Sequence, residues 1–173
     1  TGYVARWSPD GRVDKIAEGF VYTNGLALSR DEDFLLIAET GRAAVHRLWL
    51  SGENKGEIEP FLENLPAYPD NIESGEDGSF WVAFASPRVP AEALMPYPFL
   101  RKILWRLGPS VRPAPVVHGI VAQFDADGSV IRVLQDSDGE LGITSGAREV
   151  GGYLYIGLLE AGFAARLRVE PRD

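Results

Sequence analysis

Short apolar runs and two-residue alternations, broken at close intervals by glycine, proline and aspartate, set the pattern of this chain. The turn signals are Ser8-Pro9-Asp10-Gly11, Glu76-Asp77-Gly78, Asp125-Ala126-Asp127-Gly128 and Gly151-Gly152. Each is flanked by β-branched or aromatic residues, which is the hairpin pattern. Strand-like segments fall at Tyr3–Trp7, Val13–Ala17, Leu26–Ser29, Phe34–Ala38, Ala44–Trp49 and Ile58–Leu62. Further ones fall at Phe80–Phe84, Gly119–Phe124, Val130–Leu134, Tyr153–Leu158 and Phe163–Val169. Several are continuously apolar, as a strand buried on both faces requires.

The segments repeat. Phe34-Leu35-Leu36-Ile37-Ala38, Phe80-Trp81-Val82-Ala83-Phe84 and Tyr153-Leu154-Tyr155-Ile156-Gly157 read as one strand written three times, at spacings of 46 and 73 residues. A second series ends at Trp7, Trp49, Phe124 and Arg168, spaced 42, 75 and 44. Both carry extra length in the same place, between Ala85 and Val117. A period in the forties with about four strands per unit predicts propeller blades. With strands a to d counted outward from the axis, the order reads c-d, a-b-c-d, a-b-c-d, a-b-c. The expectation is all-β: a partial β-propeller over residues 1–173, about half of a six-bladed ring, with two complete blades and two partial ones. A six-bladed ring at this period needs roughly 280 residues. The pattern therefore predicts a C-terminal piece of a longer polypeptide, with open sheet edges that invite self-association.

Composition narrows the function. The 173 residues are 45% hydrophobic and 24% charged, an ordinary globular balance. Seventeen basic against twenty-five acidic residues give a net charge of −8, which argues against nucleic acid as a partner. No cysteine is present, so disulfides and thiolate chemistry are excluded. No apolar run approaches the ~18 residues of a spanning helix.

Candidate chemistry follows from the blade topology. The d–a and b–c loops open on one face, where Asn24-Gly25 and Asp70-Asn71 begin successive innermost strands. Oxygen donors of Asn24, Asp70 and Asn71 suit a hard divalent cation, calcium above all, which takes six to eight of them. Asn-Gly and Pro-Asp-Asn are also ordinary turn formers. Glu39 and Thr40, after a strand b, are expected as polar channel lining. His118 enters a strand c on that face and is a candidate for proton transfer; His46 is the other histidine. The b–c insertion, 85–117, holds seven of the twelve prolines. Phe99, Leu100, Ile103, Leu104 and Leu107 give it one helical stretch, with Pro98 in its first turn. That stretch reads as a lid, a lipid-facing surface or a packed surface helix, with membrane contact disfavoured by its shortness and the acidic chain. No G-x-S-x-G, P-loop or H-E-x-x-H motif occurs. The Asp125–Gly128 stretch imitates half an EF-hand loop but reads as a hairpin turn.

Phe20-Val21-Tyr22-Thr23-Asn24-Gly25-Leu26-Ala27-Leu28-Ser29 with Leu36-Ile37-Ala38-Glu39-Thr40 resembles the strictosidine synthase-like proteins. So do Glu63–Ile72, Phe80–Ala83, His118-Gly119 and Tyr153–Gly157. These proteins belong to a wider six-bladed group with the SMP-30/gluconolactonases, luciferin-regenerating enzyme-like proteins and paraoxonases. The resemblance implies a divalent cation, usually calcium, in the central channel of the hydrolase members. Asn24 matches the family's asparagine ligand, Asp70 the aspartate of the gluconolactonase pattern, and Asp70-Asn71 the Asp-Asn pair of the paraoxonases. The glutamate and remaining asparagine ligands belong to the N-terminal half of the family pattern, which this chain lacks. Strictosidine synthases proper use a glutamate early in the last blade, where Gly142–Arg148 has no carboxylate.

The expected function is part of a metal-dependent hydrolase of lactones or related esters, with a small molecule as substrate and the isolated piece inactive. A non-catalytic propeller that binds a small molecule or partner is the alternative. Amine–aldehyde condensation of the strictosidine synthase type ranks last.

Overall fold

A computed structural model describes residues 2–89, 97–106 and 116–170. Four antiparallel sheets follow one another along the chain. Blade I is β1 (Gly2–Trp7) and β2 (Val13–Phe20). Blade II is β3 (Thr23–Leu28), β4 (Phe34–Glu39), β5 (Ala44–Trp49) and β6 (Ile58–Leu62). Blade III is β7 (Ala67–Ser74), β8 (Phe80–Pro87), β9 (Gly119–Phe124) and β10 (Val130–Asp136). Blade IV is β11 (Thr144–Val150), β12 (Tyr153–Leu158) and β13 (Ala165–Arg168). The order c-d, a-b-c-d, a-b-c-d, a-b-c is thus the observed one, and the fold is a partial propeller ring. β3 packs against β7 and β7 against β11, forming the inner rim.

Strand b shows why the sequence builds blades. Leu35 and Ile37 of β4 pack with Val4, Ala17, Phe20 and Leu48 in the seam toward blade I. Leu36 and Ala38, on the other face, pack with Ile72, Phe80 and Val82 of blade III. Trp81 and Ala83 of β8 then meet Ala147, Leu154 and Ile156 of blade IV. Alternate residues therefore fill alternate seams, so an unbroken apolar run is required. Leu36, Ile37, Trp81 and Val82 have no exposed surface, and each such side chain contributes roughly 1.5–3 kcal/mol. In β12 only one face is covered: Leu154 and Ile156 are buried while Tyr153 and Tyr155 are exposed. Blade I shows the same asymmetry, with Val4 buried and Tyr3 and Trp7 exposed.

Arg47 of β5 ties blades II and III. Its guanidinium lies 4.6, 5.2 and 4.9 Å from the ring centres of Phe34, Trp49 and Phe61. Its Nη2 donates to the Ala126 carbonyl at 2.6 Å. That carbonyl belongs to the β9–β10 turn, where Asp125 Oδ1 accepts from the amides of Asp127 and Ser129 at 3.0 and 2.8 Å. The EF-hand-like stretch is a hairpin turn, as its spacing predicts.

The insertion lies between β8 and β9 and contains α1 (Pro98–Arg106), with Phe99, Leu100 and Ile103 exposed. Leu107, the Leu104 side chain and positions 90–96 and 107–115 lie outside the described residues. Among the described residues no helix is long and apolar enough to cross a membrane.

Candidate metal centre

Each inner strand bulges at the same level. In β3 the register jumps between Thr23↔Glu39 and Leu26↔Ile37, so Asn24 and Gly25 together oppose Ala38. In β7 it jumps between Pro69↔Phe84 and Ile72↔Val82, so Asp70 and Asn71 oppose Ala83. In β11 it jumps between Thr144↔Leu158 and Gly146↔Gly157, which frees Ser145. A bulge breaks the two-residue alternation and re-aims side chains. Asp70 and Asn71 accordingly lie inside β7, which begins at Ala67, rather than at its start as the turn-like sequence suggests.

The bulges bring Asn24 of β3 to Asp70 of β7, while Asn71, the next residue of β7, reaches toward blade IV. Asn24 is hydrogen-bonded to the carboxylate of Asp70, and its Nδ2 donates to Thr40 Oγ1 at 3.3 Å. Thr40 Oγ1 in turn donates to the Pro69 carbonyl at 2.6 Å, stitching blade II to blade III. Asn71 Nδ2 donates to the Ser145 carbonyl of blade IV at 2.8 Å. Both amide nitrogens are thereby committed to protein acceptors, leaving the Oδ1 ends as available donors beside a carboxylate. That donor set fits a hard cation. It supplies three of the six to eight oxygens such an ion takes, with a single formal charge.

Gly25 lets the strands close up. A Cβ there would lie 2.4 Å from the Ile72 amide nitrogen, 2.6 Å from Asn71 Cα and 2.7 Å from the Asp70 carbonyl. No other residue permits that approach between β3 and β7.

Burial pushes the Asp70 carboxyl above its ordinary value of 3.8, and the hydrogen bond from Asn24 pulls it part of the way back. An acid whose folded value is raised binds its proton more tightly folded than unfolded. Its contribution to stability therefore falls as pH rises from 3.8 through the folded value, and at neutral pH it is a cost. Asp70→Asn is expected to raise the Tm at pH 7 in the presence of a chelator. Thermal melts should show the gap to wild type closing as pH falls toward 3.8.

The other candidates lie elsewhere. Glu39, expected as channel lining, is fully buried and turns into the seam between blades I and II. Its Oε1 accepts from the Val21 amide at 2.6 Å and from Arg42 Nη1 at 2.7 Å. Its Oε2 pairs with His46 Nε2 at 2.6 Å. The alternation of β4 explains this, because residue 39 shares the face of Leu35 and Ile37. Thr40 does reach the cluster. His118 is held by Gln135 of the outermost strand β10, Nε2 to Oε1 at 3.1 Å, two strands outward from Asp70. Ser145 was missed by sequence reasoning, although it lies 74 residues beyond Asn71, close to the strand-b spacing that marks the same blade step.

Comparison with known proteins bears on the fold. The strictosidine synthase family profile matches residues 1–53. The strictosidine synthase-like 13 protein of Arabidopsis thaliana is 36% identical over 153 residues, 82% of this chain and 36% of that protein. Adipocyte plasma membrane-associated protein of Rattus norvegicus is 34% identical over 166 residues, 91% of this chain and 44% of that protein. Over most of its length the chain is similar to strictosidine synthase-like proteins. It spans about two fifths of the length of these curated relatives. Among solved structures, a gluconolactonase from Xanthomonas campestris superposes with a TM-score of 0.60 at 21% identity, over 95% of this chain and 49% of the other. The calcium-binding protein regucalcin from Agrobacterium tumefaciens gives 0.55 at 15% identity, over 84% and 41%. At these identities the likeness is one of fold, a β-propeller.

Proposed function

We propose that this chain carries part of a divalent-cation centre, calcium in the first instance, in a propeller that hydrolyses lactones or related esters. One observation supports it above the rest. Two inner strands bulge at one level, which joins Asn24 to Asp70 by a hydrogen bond and sets Asn71 next to them on the inner rim, bonded to Ser145. The shared fold with a gluconolactonase and with a calcium-binding protein agrees with this reading.

Asp70 supplies the charge of the site, and the Oδ1 atoms of Asn24 and Asn71 supply neutral donors. Thr40 and the Ser145 carbonyl hold the two amides in the orientation that keeps those oxygens free. A cation held by Asn24, Asp70 and Asn71 would supply Lewis-acid polarisation of a substrate carbonyl. His118 is engaged with Gln135, so the cluster, not this histidine, is the basis of the proposal.

A binding propeller without turnover is the second reading. It is favoured by one fact: among the described residues no three His, Asp or Glu side chains gather to hold a metal ion. Hydrolysis separates the two. A polypeptide that completes the ring around these blades should cleave lactones or aryl esters in a chelator-sensitive manner. Asp70→Asn should lower its kcat/KM by about 100-fold or more, some 3 kcal/mol of transition-state stabilisation. Tight ligand retention with no chelator-sensitive turnover across the panel would establish the binding reading instead.

A further inference from the structure

The two faces of the blades differ in character. Turns from strand a to b and from c to d share one face, over 8–12, 29–33, 50–57, 75–79, 125–129 and 151–152. They carry ten acidic residues against three basic ones. The opposite face, that of Thr40, holds apolar surface instead. Tyr22, Leu159 and Phe163 are exposed in its turns. The insertion leaves β8 and returns at β9 on the same face, and within it Tyr97, Val116 and Val117 are exposed as well. α1 adds the most. Phe99 and Ile103, one turn apart, are exposed with Leu100 beside them, and Phe99 keeps 72% of its surface. A helix packed on the body would bury that stripe. Lys102 and Arg106, also exposed, stand in the adjacent row. No acidic residue occurs between Pro98 and Arg106.

Basic side chains along an apolar stripe suit anionic headgroups, because the stem covers apolar surface while the charge reaches outward. At nine residues the helix is too short to hold a bilayer by apolar burial alone, so charge must supply part of the attraction. The acidity of the whole chain does not cancel it. Strands β3, β4, β7 and β8, which separate the two faces, are six to eight residues long, roughly 20 Å or more. The Debye length at physiological salt is only ~8 Å. The acidic turns are therefore screened from a surface that touches α1. Glu63, Asp138, Glu140 and Glu160 lie in turns of the near face and do oppose it, so the contact is one that salt releases.

We propose that α1 docks this face of the propeller onto an anionic lipid surface, with Phe99, Leu100 and Ile103 entering the headgroup boundary and Lys102 and Arg106 facing the lipid charges. The docking does not depend on turnover at the Asp70 centre. The probe is a pair of vesicle preparations, phosphatidylcholine alone and phosphatidylcholine mixed with an equal part of phosphatidylserine, with bound chain read by flotation. Binding to the mixed vesicles, little to the neutral ones, and release as salt rises are expected. Lys102→Gln and Arg106→Gln should each weaken binding about fivefold. Phe99→Ala with Ile103→Ala should weaken it about tenfold or more, while Asp127→Asn on the far face should leave it unchanged. All five positions are exposed, so melting curves of the variants should match wild type. Equal binding to neutral vesicles, or binding indifferent to the Phe99 and Ile103 pair, would overturn the proposal. So would a gain from Asp127→Asn as large as the loss from Lys102→Gln. Absence of binding to either preparation would overturn it too, and would leave α1 to a protein partner or to a lid over the channel.

Discussion

Gly25→Ala should cost about 3 kcal/mol or more, at or beyond the upper end for an overpacked site. For a chain of this size that lowers Tm by roughly 6–12 °C. The added methyl meets three backbone atoms of β7, all within 2.7 Å, and backbone cannot rotate aside as a side-chain tip can. Relief requires β3 and β7 to separate, which also pulls Asn24 from Asp70. Stability and the candidate centre should therefore fail together. Gly162→Ala is the control, because nothing lies within 4 Å of a Cβ at that position, and its Tm should stay close to wild type. A Gly25→Ala protein that melts like Gly162→Ala would mean that the two inner strands do not approach as described.

The second large effect is expected at Glu39. Removing this carboxylate strands the Val21 amide, Arg42 and His46 around a fully buried position. Glu39→Ala should cost about 1–3 kcal/mol, the range for a buried hydrogen-bonding group left without its partner. Glu39→Gln keeps the shape and an acceptor for Val21, so it should recover a good part of that loss. Neither variant that remains folded should change cation affinity, since the carboxylate faces the blade I–II seam. Weaker cation binding by a fully stable Glu39→Gln would instead return this residue to the channel.

What the sequence makes legible, and what it hides, follows from which signals are local. Strand b is apolar on both faces because each face fills a different seam, so Phe34–Ala38, Phe80–Phe84 and Tyr153–Gly157 repeat visibly and set the blade count. Pro98 and the spacing of Phe99 and Ile103 likewise mark α1. The inner strands are harder to see. β7 carries Pro69, Asp70 and Asn71, and β11 carries Gly146, all residues that read as turns. They are strands because each is held by its strand b on one side while packing against neighbouring inner strands, and the bulges absorb the awkward residues. Those bulges are also what set Asn24 beside Asp70. Propensity is thus least informative where the site is built, a common trade at functional positions.

Glu39 shows the complementary limit. Its place after strand b suggested the channel, yet the two-residue alternation of β4 already assigns it to the face of Leu35 and Ile37. The partners that make a buried carboxylate tolerable, Arg42 and His46, lie three and seven residues on. Their convergence depends on the β4–β5 pairing, in which His46 opposes Ile37.

The most direct test of the central claim is a native mass spectrum of this chain with calcium and then with a chelator, beside Asp70→Asn. The exposed aromatic faces of blades I and IV are expected to give a dimer or larger assembly, which the same spectrum records. Wild type should carry calcium that the chelator strips, and Asp70→Asn should carry none. Equal calcium on both proteins, or none on either, would contradict the assignment of Asn24, Asp70 and Asn71 as a cation centre.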